Sequence, residues 1–231
     1  MKNDLLKLKH SFLISLIWVA AIWLVFLFEQ LSGIELAQWG VYPRKLSGFV
    51  GIFTSPFIHG DWGHITSNSL PLLFLSTGVL YFYREIATPV LLASYITPGL
   101  WVWVAARSTY HIGASGVVYA LVFFLFFSGV FRKDVRAMAI SLVVAFLYGG
   151  VVWGILPTQP GVSWESHLFG AIAGTVVAFF YRKSGPKKKK YDWEDESDEE
   201  SSYDDFAPWN YQHLYPPPDG FSYPNEKGSQ S

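Results

Sequence analysis

The feature that most constrains this 231-residue chain is a series of apolar runs, each nearly free of charge. They cover about residues 11–28, 64–83, 89–106, 115–131, 137–156 and 167–181. Backbone placed in hydrocarbon must satisfy its own polar groups, so runs of this kind fold as helices that cross roughly 30 Å of bilayer. Hydrophobic residues make up 51% of the chain and charged residues only 15%, which is the profile of a membrane protein rather than a soluble domain. The spacing predicts an all-α membrane protein, a bundle of six transmembrane helices over residues 11–183. Residues 1–10, with Lys2, Lys7 and Lys9, read as a short N-terminal segment. The run that follows is long and Trp-rich and lacks a small-residue cleavage site, so it reads as a span and not as a signal peptide. Cysteine is absent, which excludes a disulfide framework.

Charge orients the bundle. With the N-terminus inside, fourteen of the seventeen Lys and Arg residues fall on the cytoplasmic side, from Lys2 through Arg84, Arg132 and Arg182 to Lys187–Lys190 and Lys227. The external segments hold only Arg44, Lys45 and Arg107. That asymmetry follows the positive-inside rule and predicts a multi-pass protein of the inner (plasma) membrane with both termini cytoplasmic. Eleven of the eighteen acidic residues follow Ser184. Residues 184–231 lack apolar periodicity and are expected to form a disordered cytoplasmic tail. Its lysines suit an anionic leaflet, and Pro216-Pro217-Pro218 with the neighbouring tyrosines suits an unknown protein partner, although a merely solvated tail is the simpler reading. Nothing in the charge pattern points to nucleic acid. The connection over 31–63 is long and greasy, with Gly48-Phe49-Val50-Gly51-Ile52-Phe53 and Pro56-Phe57-Ile58. It is expected to dip into the bilayer edge or pack on the helices.

With this topology the second, fourth and sixth spans all start at the outer surface. Each carries its polar residues there: His64 and Asn68 on the second, Ser115 on the fourth, His167 on the sixth. Groups of this kind at membrane depth persist when they pair, line a cavity or work. Ser115 stands between Gly113 and Gly116, so other groups can approach it closely; the alternative is a capping or packing serine. His64 and Asn68 share a helix face, as do Ser115 and Tyr119. His167, Gly170, Gly174 and Ala178 form a row whose Gly-x-x-x-Gly step lets a neighbouring backbone come very close. A serine needs an adjacent base to act as a nucleophile, and a neutral histidine supplies one. His64, the Asn68 amide and the Ser115 backbone N–H are candidate donors to a tetrahedral oxyanion. The spans hold no Asp or Glu, and Glu165 falls on another face from His167. The expectation is therefore a Ser115–His167 dyad, with Tyr119 orienting the imidazole by packing. Zinc held by His59, His64 and His167 is the chemical rival, but the spacing is wrong and no carboxylate accompanies it. No metal or cofactor is expected.

In these residues the sequence resembles the rhomboid family of intramembrane serine proteases. The matching segments are His59-Gly-Asp-Trp-Gly-His64-Ile-Thr-Ser-Asn68, Gly113-Ala-Ser115-Gly-Val-Val-Tyr119-Ala, and Ser-His167-Leu-Phe-Gly170-Ala-Ile-Ala-Gly174. They stand in the family's order, on the second, fourth and sixth spans. The resemblance implies Ser115 as nucleophile, His167 as general base and acid, and His64, Asn68 and the Ser115 amide as the oxyanion hole. It makes His59 the structural histidine of the first loop. The Trp-Arg pair of many rhomboid first loops is not reproduced; Trp39 and Tyr42-Pro43-Arg44 are the nearest features. The implied substrates are transmembrane proteins cut near the external end of a span. The fifth span, with Gly149-Gly150 and Trp153-Gly154, is then a candidate moving gate, or else an ordinary glycine-rich packing surface. Two other functions remain: a non-catalytic binder or chaperone of membrane proteins using the same groove, and a small transporter. The transporter is disfavoured because the polar residues gather at one side instead of lining a path.

Overall fold

The computed structural model describes residues 2–133, 135–157 and 161–184. The expectations for the tail, including Lys187–Lys190, the acidic run and Pro216-Pro217-Pro218, lie outside the described residues.

Among the described residues the fold is helical. The elements are α1 (Lys2–Ser32), α2 (Gly51–Thr54), α3 (Trp62–Phe82), α4 (Ala87–Ala105), α5 (Ser115–Arg132), α6 (Val135–Tyr148) and α7 (Trp164–Phe180). Short 3₁₀ turns surround α2, and a longer one, Gly149–Ile155, continues α6. Four helices, α1, α3, α4 and α5, are long and apolar enough to cross a membrane. Together with the shorter apolar helices they make this a multi-pass membrane protein. The first helix starts earlier than the apolar run: it takes in the polar N-terminal residues, where Asp4 and Lys7 pair at 3.7 Å one turn apart.

Helix α5 is the hub. It is the most buried of the long helices and packs against α3, α4, α6 and α7. Its seam with α7 explains the glycine row. A Cβ on Gly170 would lie 2.3 Å from the Gly116 carbonyl oxygen, and one on Gly174 would lie 2.1 Å from that of Ala120. The two helices thus run parallel with backbones in contact, and any side chain at either position would force them apart. On the other flank, Phe26 of α1 meets Trp62 of α3 edge to face at 4.9 Å, and the Trp23 indole donates to Ser69 Oγ at 2.9 Å.

Helices α3, α5 and α7 all begin at one end of the bundle, here the polar end, and finish near Arg84, Arg132 and Arg182 at the basic end. Capping residues fix two of these starts. Asp61 accepts the His64 amide at 2.8 Å, and Ser163 accepts the Ser166 amide at 3.4 Å.

The greasy connection over 31–63 folds back onto the helices. Val41 and His111 exchange both backbone hydrogen bonds at 2.9 Å. Gly51 touches the backbone of Gly40, where a Cβ would have no room. Arg44 reaches the end of α4, donating to the Ala106 carbonyl at 2.8 Å and to Ser108 Oγ at 3.0 Å. A guanidinium suits the orphan carbonyls and negative pole of a helix C-terminus. The Trp103 indole returns a bond to the Lys45 carbonyl at 2.8 Å. The loop is therefore a packed part of the fold.

Candidate active site at the polar end

Ser115 is the first residue of α5 and is half-buried. The first intrahelical bond is donated by Val118 N–H to the Ala114 carbonyl at 3.0 Å. The amides of Ser115, Gly116 and Val117 are thus the orphan donors of the helix start, at its positive pole. The turn before it is tightly built. Gly113 has φ +103° and donates its N–H to the Ser55 carbonyl at 2.9 Å. A Cβ there would fall 2.4 Å from His64 Nε2, so only glycine allows the imidazole to lie against this backbone.

His59 supports the same turn from behind. It is fully buried, with its ring 4.9 Å from that of His64. Its Nδ1 lies 3.4 Å from the Phe57 carbonyl, which can only accept, so Nδ1 carries the hydrogen. Its Nε2 is then free to accept the Ala114 N–H at 3.5 Å. Burial first, and the neighbouring His64 second, lower the His59 pKa to about 4, which keeps the ring neutral and able to accept. The buried Asn68 donates through Nδ2 to the His64 carbonyl at 3.1 Å, one turn earlier on its own helix. That bond uses one of its two amide hydrogens.

His167 sits one turn into α7 and is buried. Its ring stacks on Tyr119 with centroids 4.2 Å apart and planes within 5°. Tyr119 lies one helical turn below Ser115 on the same face of α5. The stack therefore holds the imidazole beside the turn that carries the hydroxyl. On its edge, His167 Nδ1 donates to the Gly154 carbonyl at 2.8 Å. A carbonyl cannot donate, so the hydrogen is on Nδ1 and the lone pair on Nε2. The expected packing role of Tyr119 is accompanied by this backbone acceptor, which sequence alone does not reveal. Trp153, next to Gly154, is largely exposed on the outside of the bundle.

A second polar cluster ties down the start of α7. His111 Nε2 donates to the Arg107 carbonyl at 3.1 Å, which leaves Nδ1 to accept from Ser163 Oγ at 2.6 Å. Ser163 Oγ in turn lies 2.7 Å from Ser166 Oγ. Burial holds the His111 pKa below its ordinary value, which favours this neutral, accepting form. Arg107 donates to the Val162 carbonyl at 2.8 Å and pairs with Glu165 at 3.2 Å. The Glu165 carboxylate is buried and, through Arg107, works as an anchor. Its second oxygen has no partner among the described residues. The signal that could have found part of this cluster is a serine, Ser163, just before the apolar start of α7, as an N-cap residue; no spacing marks His111 as its partner. Among the described residues, no three His, Cys, Asp or Glu side chains gather as a metal site would require.

A family model described as the Rhomboid domain matches residues 47–184. An uncharacterized protein of Mycobacterium tuberculosis strain H37Rv is 38% identical over 188 residues, covering 75% of each chain. The same figures hold for an uncharacterized protein of Mycobacterium bovis. An uncharacterized protein of Mycobacterium leprae is 33% identical over 189 residues, covering 75% of this chain and 72% of its own.

Proposed function

The chain belongs to the rhomboid family, and from that premise we propose that it is an intramembrane serine endopeptidase that cuts transmembrane proteins near the external end of a span. Ser115 is the nucleophile. His167 Nε2 takes the Ser115 hydroxyl proton as Oγ bonds to the scissile carbonyl carbon, and it returns that proton to the leaving amine as the C–N bond breaks. Water then attacks the acyl-enzyme with His167 again as base, which releases the second product and restores the hydroxyl. His64, the second Asn68 amide hydrogen and the Ser115 N–H stabilise the oxyanion, with one good donor contributing about 2.7–4 kcal/mol.

The observation that carries this reading is the tautomer of His167. The ring is clamped against Tyr119 with Nδ1 committed to a carbonyl, so the lone pair is on Nε2. His59 holds the same tautomer but gives its Nε2 to the Ala114 N–H.

Six crossings complete the bundle. Helix α7, with 17 residues, is about 25 Å long. Helix α6 adds about 21 Å and its 3₁₀ continuation about 14 Å, which together reach across the hydrocarbon. The charge asymmetry supports an inner-membrane location with both termini in the cytoplasm, which puts the polar end outside.

The test is cleavage of a transmembrane substrate by the purified, reconstituted chain. Ser115→Ala and His167→Ala are each expected to abolish cleavage while the protein stays folded. Cleavage by Ser115→Ala at the wild-type rate would refute the assignment, and a biological role that survives Ser115→Ala in cells would favour a binder or chaperone.

A further inference from the structure

We propose that Gly154, through its backbone carbonyl, is a positioning residue for His167, so that the seating of the α6 segment determines whether the base is armed. The inference rests on the reading of His167 as the base. A neutral imidazole has two tautomers, and only the one with hydrogen on Nδ1 leaves Nε2 able to accept the serine proton. Among the described residues no carboxylate is hydrogen-bonded to the ring, and Glu165 pairs with Arg107. The Gly154 carbonyl is the group that does so, at 2.8 Å from Nδ1.

The identity of residue 154 fits this role. Its φ lies outside the left-handed region, so backbone freedom does not explain the glycine. Space does. A Cβ at this position would lie 1.9 Å from the Tyr119 hydroxyl and 3.2 Å from His167 Nδ1. Glycine is what lets the chain come close enough for its carbonyl to reach the ring.

Among the described residues, the side-chain hydrogen bond that ties α6 to α5 lies toward the basic end. At the basic end, Ser141 Oγ of α6 donates to the Phe126 carbonyl at 2.6 Å, and Gly129 leaves room for that contact. Further along α6, an apolar cleft of about 310 Å³ lies against α5 and reaches Gly149 and Val152, while a larger one of about 880 Å³ lies against α3 toward the basic end. Gly149 and Gly150 have nothing within 4 Å of where a Cβ would stand. The seven residues of Gly149–Ile155 form a 3₁₀ turn, longer than the three or four residues usual for that helix and typical of a hinge. A displacement of about 1 Å at Gly154 would take the bond to the limit of hydrogen-bonding distance.

Two measurements on the full-length chain in micelles test this. The first is the ¹⁵N spectrum of labelled histidine at neutral pH. His167 is expected as the Nδ1–H tautomer, and a predominant Nε2–H form overturns the proposal whether or not the protein is active. The second is a cycle of Gly154→Ala and Tyr119→Phe, read as kcat and KM on a transmembrane substrate. Gly154→Ala is expected to lower kcat at least about 100-fold with KM within about threefold. In the Tyr119→Phe background, where the clashing hydroxyl is gone, the same substitution should cost at least about tenfold less. Equal losses in both backgrounds, or a normal kcat in Gly154→Ala, would overturn it. If Gly154→Ala does not fold, the tautomer decides. A wild-type chain that cleaves nothing and is not labelled at Ser115 would instead count against the proposed function.

Discussion

The two partners of α5 could hardly be packed more differently. Helix α7 meets it backbone to backbone, with Gly170 and Gly174 spaced so that a methyl group at either would overlap an α5 carbonyl. Helix α6 makes its tightest glycine contact with α5 at Gly129 and Ser141, and further along it lies beside an apolar cleft with Phe146, Leu147 and Trp153 exposed. The first seam holds together the starts of the two helices that carry Ser115 and His167. The second leads into the 3₁₀ turn whose Gly154 carbonyl accepts from His167. Packing is thus tightest beside the two side chains proposed to form the dyad, and looser on the flank proposed to admit substrate.

The contrast breaks most visibly at Gly170. Gly170→Val is expected to reduce cleavage at least about 100-fold, since a displacement near 1 Å is enough for that, and to destabilise the fold by about 1–3 kcal/mol through overpacking. Near-normal turnover in that variant would mean that backbone contact between α5 and α7 is not needed.

The fixed half should also be sensitive to acid. The folded-state pKa of His59 is lowered to about 4 from an unfolded value near 6.5. Between those values the unfolded chain binds the extra proton, so stability is full above about pH 6.5 and falls as the pH drops toward 4. The His59 contribution at stake is about 3 kcal/mol. Denaturation followed by tryptophan fluorescence should show this loss in the wild type and a smaller one in His59→Gln. Identical acid profiles would remove His59 from the account.

Arg107→Ala should cost about 1–3 kcal/mol, because it strands a buried carboxylate, and Glu165→Gln in the same chain should recover most of it. A double-mutant cycle with no coupling would show that the pair does not anchor α7. The smallest effect belongs to the loose half. Gly149→Ala meets no neighbour and should change stability by less than about 1 kcal/mol. A larger loss would show that this turn is packed after all.

Much of the bundle was legible in the sequence because helices write their contacts with a period of 3.6 residues. The pairs His64/Asn68 and Ser115/Tyr119 and the row His167, Gly170, Gly174 could be read from spacing alone. The residues that the structure adds act through groups without a sequence signature. Gly154 contributes a backbone carbonyl, which every residue has. His111 reaches Ser163 across 52 positions, and Arg44 works by capping a helix end far along the chain. The 3₁₀ continuation of α6 was hidden for another reason: apolar composition is shared by both helix types, and only the hydrogen-bond register tells them apart.

The most direct measurement is labelling of the reconstituted protein by a fluorophosphonate, with the modified residue identified by mass spectrometry. The account predicts modification of Ser115 in the wild type and its loss in His167→Ala, with both proteins folded. Equal labelling of Ser115 with and without the imidazole, or none in the folded wild type, would contradict it.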